Sequence, residues 1–462
     1  MTIRFGTDGW RAIIGDDFTF SNLRQVARVS AQVLAKTYSG TGILVGYDHR
    51  FLSPEFARAV AETLVADGFE VYLADQASPT PAISWAVKKR GALGGLIITA
   101  SHNPPQWSGL KVKGAFGGSV PETVTQQIEQ GLDSGLAIPK GKGTLQSFDP
   151  WELYLEQLRT RVDLEAIRQT PFTVFLDTMH GSGAGGLTRL GIPVQALRGE
   201  RDPLFGGVSP EPVAKNLAPA FRAVKAAAQP AVVLVFDGDA DRIGAVNGDG
   251  TYLNCQVLIP LLIDHLARTR GGSGAVVKTL SGSDLFRRVA LARGLPVYET
   301  AIGFKYIAEI MECEPVLLGG EESGGIGYRD HMPERDALLS ALYLLEILAH
   351  SPQSLLERYQ DLCRECQFTP VYDRIDVTLP DETFKAQLKE RLVTAPPLRV
   401  CGQEIQEHLT TDGHKFRLAD DRWLLIRFSG TEPLLRLYCE GQSPAQVQET
   451  LLWAKQWALA VC

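Results

Sequence analysis

Gly95-Leu96-Ile97-Ile98-Thr99-Ala100-Ser101-His102-Asn103-Pro104 is a short apolar run that empties into a loop dense with functional groups. The same design recurs three times. Val232-Val233-Leu234-Val235-Phe236 enters Asp237-Gly238-Asp239-Ala240-Asp241-Arg242, and Pro315-Val316-Leu317-Leu318 enters Gly319-Gly320-Glu321-Glu322-Ser323-Gly324-Gly325. Leu424-Leu425-Ile426 enters Arg427-Phe428-Ser429-Gly430-Thr431-Glu432-Pro433. Apolar runs bounded by turn residues read as buried strands, and in open α/β sheets ligands bind beyond the carboxyl ends of strands. Four such loops along the whole chain predict four domains, each giving one wall to a single site. A hydroxyl nucleophile, a carboxylate triplet, an acidic sugar-binding loop and an anion cradle together point to phosphoryl transfer on a polyol.

The stretches between these loops alternate helical and strand periodicity. Ser21 is the expected cap of a helix reaching about Thr37, followed by a strand at Gly42 to Tyr47, a helix from Ser53 to Gly68 and a strand at Glu70 to Leu73. This βαβ grammar implies mainly parallel sheets. It recurs around Thr173 to Asp177 and Val232 to Phe236, and again around Gly274 to Val277 and Val316 to Leu318. The last segment differs: strands at Arg374 to Leu379, Trp423 to Phe428 and Leu434 to Cys439 accompany helices at about Glu382 to Val393 and Pro444 to Ala460. It reads as a small α+β domain. Loop-like composition places the boundaries so that the domains span 1–147, 148–250, 251–366 and 367–462.

A chain of 462 residues exceeds what one hydrophobic core serves. The net charge of −7 argues against a nucleic-acid partner, so an anionic substrate must be held by local cations. No run approaches the roughly 18 apolar residues of a membrane span, and the start shows no secretory signal; the expected location is the cytoplasm. The cysteines are odd in number and scattered, which argues against a disulfide framework. Cys363 and Cys366 form a lone CxxC within a helical pattern, with no second pair to complete a zinc site.

Ser101 attacks phosphorus only if something handles its proton and something neutralises the phosphoryl oxygens; the plain alternative is a strand-to-helix turn rich in Ser and Asn. His102 is a base or a loop residue that orients its neighbour. Asp237, Asp239 and Asp241 are the strongest signal, because clustered like charges need a cation to coexist. A calcium loop is ruled out, since Arg242 falls where glycine is needed and Gly248 where glutamate is needed. Hard oxygens at this spacing suit Mg²⁺. Arg427, Ser429, Gly430, Thr431 and Arg436 make a hairpin tip able to ring an anion. Glu321 and Ser323 can bond vicinal sugar hydroxyls, or form a tight acidic turn. Lys111 is a candidate proton carrier if burial lowers its pKa; otherwise it is a strand-edge lysine. Arg11 is weak taken alone.

The chain resembles the α-D-phosphohexomutase family, the phosphoglucomutases, phosphomannomutases and phosphoglucosamine mutases, over essentially its whole length. Thr99 to Pro104 is similar to the family's phosphoserine loop, Asp237 to Arg242 to its metal loop, Gly320 to Gly325 to its sugar loop and Arg427 to Pro433 to its phosphate loop. Phe5-Gly6-Thr7-Asp8-Gly9 resembles the family's opening, and Gly303-Phe304-Lys305 another substrate loop, which makes Gly303 and Lys305 expected substrate contacts. The resemblance implies an α/β fold of four domains around a central cleft, three alike and the fourth an α+β lid. It further implies that Ser101 is phosphorylated at rest and that Mg²⁺ is held by Asp237, Asp239, Asp241 and an oxygen on Ser101. Lys111 would be the acid/base group, with Arg242, His102 and Arg11 near the transferred phosphoryl. The cofactors are then Mg²⁺ and a hexose 1,6-bisphosphate, the partner a small sugar phosphate, and the protein a monomer or homodimer.

Gly325 stands where several relatives with mannose or glucosamine substrates carry histidine, so the expected substrate leans to glucose 1-phosphate, with phosphomannomutase activity the neighbouring reading. A hexose 1,6-bisphosphate synthase on the same scaffold is the close rival. A serine-dependent phosphatase and a catalytically silent sugar-phosphate-binding regulator are more distant ones.

Overall fold

The computed structural model describes residues 3–6, 8–134, 141–227, 230–429 and 433–460. Its strands assemble into four sheets. The first contains β1 (Trp10–Ile13), β2 (Ile43–Tyr47), β3 (Glu70–Ala74), β4 (Gly94–Ile98), β5 (Trp107–Gly114) and β6 (Thr144–Phe148), in the order β1-β5-β4-β2-β3-β6. Strands β4, β2, β3 and β6 run parallel; β5 returns antiparallel to β4, and β1 pairs antiparallel with β5. The second contains β7 (Thr173–Asp177), β8 (Gln195–Leu197), β9 (Ala231–Phe236), β10 (Ile243–Asn247) and β11 (Tyr252–Leu253), in the order β11-β10-β9-β7-β8. The third contains β12 (Ala275–Thr279), β13 (Val297–Thr300), β14 (Val316–Gly320) and β15 (Ile326–Tyr328), in the order β13-β12-β14-β15. The fourth is wholly antiparallel: β16 (Val371–Thr378), β17 (Arg399–Val400), β18 (Gln403–Leu409), β19 (His414–Leu418), β20 (Trp423–Phe428) and β21 (Leu434–Gly441), in the order β16-β21-β20-β19-β18-β17.

One device repeats through all four. A buried strand ends, a functional loop follows, and the chain returns as an antiparallel neighbour. Ile98 pairs with Leu110, Phe236 with Ile243, Gly320 with Ile326 and Phe428 with Leu435. Each loop is thus pinned at both ends by ladder hydrogen bonds, which hold it more tightly than a free connection. The plain alternative for the Ser101 loop, a strand-to-helix turn, does not occur: the chain returns as β5. Lys111 consequently sits opposite Ile97 in a strand flanked by β1 and β4, not on an edge.

Most helical expectations correspond to observed elements with shifted ends. The first helix is Phe20–Thr37, capped by Thr19 rather than Ser21, because the Thr19 hydroxyl accepts from the Asn22 amide. The next is Ser53–Ala66. The strands β17, β18 and β19 are not anticipated by the pattern; polar and charged residues such as Glu404, Glu407, His408 and Arg417 break their apolar alternation. Cys363 lies buried in the helix Leu355–Glu365, its thiol pushed up to about 11 by burial, an inert arrangement.

The second and third sheets share one apolar core. The helix Ala337–Ala349, ALLSALYLLEILA, is buried at every position but its last and packs in a cluster that joins Leu234 and Phe236 to Leu318 and Ile326. Such an all-round apolar helix belongs inside a core. The fourth sheet has its own core, formed with the helices Glu382–Thr394 and Pro444–Leu459. Its contact with the third is a small apolar patch of Leu280, Trp423, Leu425 and Tyr438.

Gly109 on β5 has no room for a side chain: a Cβ there would lie 2.6 Å from both the Thr99 and Trp10 carbonyl oxygens. Its own carbonyl accepts from the Thr99 amide at 3.1 Å, two residues before Ser101. Gly109→Ala should lower unfolding free energy by about 1–3 kcal/mol through overpacking, read as an earlier denaturant midpoint. An unchanged midpoint would show that the sheet has slack beneath the Ser101 loop.

Candidate active site at the meeting of the loops

Ser101 is buried and adopts φ of 52°, the left-handed region that few side chains enter. Its amide donates to Thr99 Oγ1 at 2.9 Å. The loop is held from behind by Arg50. Arg50 Nη2 donates to the Ser101 and Asn103 carbonyls, each at 2.7 Å, and Nη1 to the Pro104 and Trp107 carbonyls at 2.9 and 3.0 Å. A fixed guanidinium fork satisfying several carbonyls is a template for a loop. Asp48 lies 3.3 Å from Arg50 Nε, and the Phe205 ring of the second domain lies 4.9 Å from the guanidinium carbon.

The Asp237 loop meets Ser101 face to face. Ser101 Oγ donates to Asp237 Oδ2 at 2.7 Å, while Asp237 Oδ1 accepts the amides of Asp241 and Arg242 at 3.0 and 3.1 Å. Asp237, Asp239 and Asp241 are all fully buried, and each offers an oxygen within 4.8 Å of the others. Burial, then the charges of Asp241 and Asp239, push Asp237 well above the usual carboxylate range. Asp239 Oδ1 and Asp241 Oδ1 are buried without a hydrogen-bond partner, an arrangement that is costly in a native protein unless an ion answers it. These residues fit a hard divalent cation. Among the described residues, no other cluster of His, Cys, Asp or Glu has metal-binding geometry.

On the far side of the triad stands Lys111. Its Nζ lies 2.8 Å from Asp8, 2.8 Å from Asp239 and 2.6 Å from Asp241. Burial alone would lower Lys111, as expected from the sequence. Asp239, Asp241 and Asp8 outweigh burial and raise it, so the ammonium is held charged. Arg335 pairs with Asp8 and lies 2.7 Å from Asp241. Lys113, with Glu334, Ser119 and Asp8, extends the network. Arg11 Nη1 donates to Asn103 Oδ1 at 2.8 Å, and Arg242 Nε is 3.9 Å from Asp241. His102 Nδ1 is 3.4 Å from Ser101 Oγ; burial, then Arg242 and Arg11, hold the imidazole neutral.

The sugar-loop candidates attach to this cluster through the backbone. Arg242 bridges Gly325, and the Ile243 amide donates to Gly324 O at 3.0 Å. Glu321 is buried and pushed up to about 7, mainly by burial, with Glu322 adding to the rise and Arg335 opposing it. Ser323 is exposed. Gly303 begins the helix Phe304–Cys313, but Lys305 turns to Glu122 of the first domain at 2.7 Å. On the fourth sheet Arg427 and Arg436 are register partners, and the Ser429 amide donates to Leu434 O at 2.8 Å. Arg436 Nε is buried with no partner among the described residues. Gly430 and Thr431 lie outside the described residues.

Sequence reasoning passes over Arg50, Asp8, Lys113, Glu334 and Arg335. A signal for Arg50 exists: Leu44-Val45-Gly46-Tyr47 also empties into a charged loop, Asp48-His49-Arg50. Asp8 stands in the quoted opening but without a role. Glu334-Arg335-Asp336 carries no spacing that separates it from an ordinary helix start, since Asp336 does cap the next helix.

A buried hydroxyl against a carboxylate triad, with cations behind it and an arginine-lined hairpin beyond, defines an enzyme of phosphoryl transfer. Models of the phosphoglucomutase/phosphomannomutase family match in order: α/β/α domain I over residues 2–137, domain II over 152–250, domain III over 255–366 and the C-terminal domain over 375–451. The chain is similar to a phosphoglucomutase/phosphomannomutase of Thermococcus kodakarensis, 29% identical over 97% of this chain and 96% of that one. It is 30% identical to a phosphoglucosamine mutase of a Synechococcus species, over 99% and 95% of the two chains. A solved protein of Thermus thermophilus, assigned as a candidate phosphomannomutase, superposes with TM-score 0.86 at 34% identity, covering 99% of each chain. The chain belongs to this family, the α-D-phosphohexomutases, and is a phosphosugar mutase, an intramolecular phosphotransferase. No helix among the described residues is long and apolar enough to cross a membrane.

Arg50→Lys keeps the charge but loses the fork, leaving loop carbonyls without donors. Displacement of Ser101 by an ångström or so should slow turnover about a hundredfold, measured as kcat on a hexose 1-phosphate. Wild-type kcat would show that the Ser101 loop holds its shape without Arg50.

Proposed function

We propose that this enzyme interconverts hexose 1-phosphate and hexose 6-phosphate, glucose 1-phosphate foremost, through phospho-Ser101 and a hexose 1,6-bisphosphate. The observation that carries this reading is the 2.7 Å hydrogen bond from Ser101 Oγ to Asp237. It sets the candidate nucleophile against the cluster that, alone among the described residues, suits a divalent cation. Mg²⁺ held by Asp237, Asp239 and Asp241 would offset negative charge on the transferring phosphoryl.

The chain's own groups do the rest. The phosphorus–oxygen bond to Ser101 breaks as one to the sugar hydroxyl forms. The proton released by that hydroxyl ends on Ser101 Oγ, and we assign Lys111, a charged donor fixed by three carboxylates, to relay it. His102, kept neutral, orients Ser101 without adding charge, and Arg11 and Arg242 face the phosphoryl oxygens. The bisphosphate then turns end for end, and its other phosphoryl returns to Ser101. Arg427, Ser429, Gly430, Thr431 and Arg436 hold the phosphate that is not being transferred, and Glu321, Ser323, Gly303 and Lys305 meet the sugar. Gly325 supports the glucose preference, because a Cβ there would collide with Arg335 Cδ. The histidine expected in mannose- and glucosamine-type relatives has no space beside that guanidinium.

The test is turnover of glucose, mannose and glucosamine 1-phosphates by the Mg²⁺-loaded protein, with and without added hexose 1,6-bisphosphate. Ser101 should carry a phosphoryl by intact-mass analysis, and Ser101→Ala should lose both the adduct and turnover while still binding sugar phosphate. Net accumulation of bisphosphate from a separate donor would identify a synthase, and stoichiometric inorganic phosphate a phosphatase.

Glu321 passes from neutral donor to charged acceptor near pH 7. The glucose-to-mannose ratio of kcat/KM should therefore change across a midpoint of about 7 in the wild type and be flat in Glu321→Gln. A ratio equally pH-dependent in both would remove Glu321 from sugar recognition.

A further inference from the structure

Arg427 points its Nε–H to a carboxylate that sequence reading does not single out. Asp412 lies in the four-residue turn between β18 and β19, and its Oδ2 accepts Arg427 Nε at 2.9 Å. The same oxygen accepts the backbone amide of Ile302 at 3.0 Å. Ile302 belongs to the third domain and directly precedes Gly303. One carboxylate oxygen thus joins the phosphate hairpin of the fourth domain to the substrate loop of the third.

The surroundings are built for this contact. Asp412 and Arg427 side chains are only 24% and 18% exposed. Gly413 has φ of 87°, and a Cβ there would collide with the Ile426 carbonyl beneath it. Only glycine lets the turn lie flat enough on β20 to bring Asp412 to Arg427. Ile302 itself packs on the interdomain patch of Trp423 and Tyr438. When the fourth domain leaves the third, the Ile302 bond to Asp412 must break, and Arg427 then keeps a partner that is itself freer to move.

We propose that Asp412 is a positioning residue: it fixes the Arg427 guanidinium in its phosphate-binding orientation only while the fourth domain is docked on the third. This deepens the function proposed above, since it rests on Arg427 gripping the distant phosphate. Domain docking and phosphate grip become one event, joined at a single oxygen atom.

A double-mutant cycle tests it. Asp412→Ala should lower kcat/KM for hexose phosphates by about tenfold, carried mainly by KM, the loss of a charge-assisted bond that orients a ligand-binding group. In the Arg427→Ala background the same change should add less than about twofold, because residues acting through one another are not additive. Asp412→Asn, which keeps an acceptor oxygen, should recover most of the loss. Independent effects of Asp412→Ala and Arg427→Ala overturn the proposal. Hydrogen exchange gives a readout apart from catalysis: the Ile302 amide should exchange faster in Asp412→Ala and near the wild-type rate in Asp412→Asn. If the wild type turns over no hexose phosphate, the mutase reading falls while Ile302 exchange still decides the latch. An Ile302 rate indifferent to Asp412 ends the proposal in either case.

Discussion

Everything in this site depends on keeping carboxylates together in a place water does not reach. Asp8, Asp239 and Asp241 converge on Lys111, Asp8 and Asp241 also meet Arg335, and Asp237 stands beside them against Ser101, all with side chains almost fully buried. Buried charges are tolerated only when paired and hydrogen-bonded, so the cluster fixes how three sheets meet. Lys111 comes from the first, the aspartate triad from the second and Arg335 from the chain following the third. None of the three domains could keep its share of this charge alone. Thr80 adds a direct stitch, its hydroxyl donating to Asp239 Oδ2 at 2.5 Å and its amide to Asp239 O at 2.9 Å. The charges of the functional residues thus add an electrostatic constraint to the apolar core that joins the second and third domains.

The pairing of strand, loop and antiparallel return gives these charges their precision. In an ordinary parallel α/β sheet the loop after a strand is tied at one end and opens into a helix. Here β4, β9, β14 and β20 each end in a loop whose far end is hydrogen-bonded back to the same strand. A short loop with both ends fixed has little conformational freedom to lose when it binds a ligand. It can also hold strained backbone, as at Ser101 and Ala240 with φ of 52° and 54°.

The four loops and their chemical character were legible in the sequence because each follows an apolar run, and apolar periodicity is the strongest local signal available. The four-domain α/β architecture followed from the same pattern. What stayed hidden were residues whose partners lie far along the chain. Arg50 serves carbonyls some fifty positions away, and Lys113 reaches Glu334 across 221 positions. No periodicity encodes such pairs. The rise in Lys111 was missed for the same reason: burial was inferable from its strand, but the three carboxylates around it come from other segments. The strands β17 and β18 were illegible because exposed charges erase alternation, and a Ser-versus-Thr choice of cap at residue 19 or 21 turns on hydrogen-bond geometry alone.

The fourth domain is attached by a different kind of force. Between the second and third domains lies a continuous apolar core, which separates only at the cost of exposing that surface. Between the third and fourth, the small patch around Trp423 is ringed by ion pairs of Lys415 with Glu299 and of Arg417 with Asp284 and Glu299, and by a hydrogen bond that the Asp284 amide donates to Glu440. Charges that part across a seam can be rehydrated, whereas apolar surface cannot recover its lost contacts in water. The seam therefore favours a docked fourth domain without welding it there. The bisphosphate proposed above, turning end for end, would need a phosphate-gripping wall that can release it while the transfer machinery stays fixed. The chain meets both demands by placing the apolar cement on one side of the cleft and the ionic cement on the other.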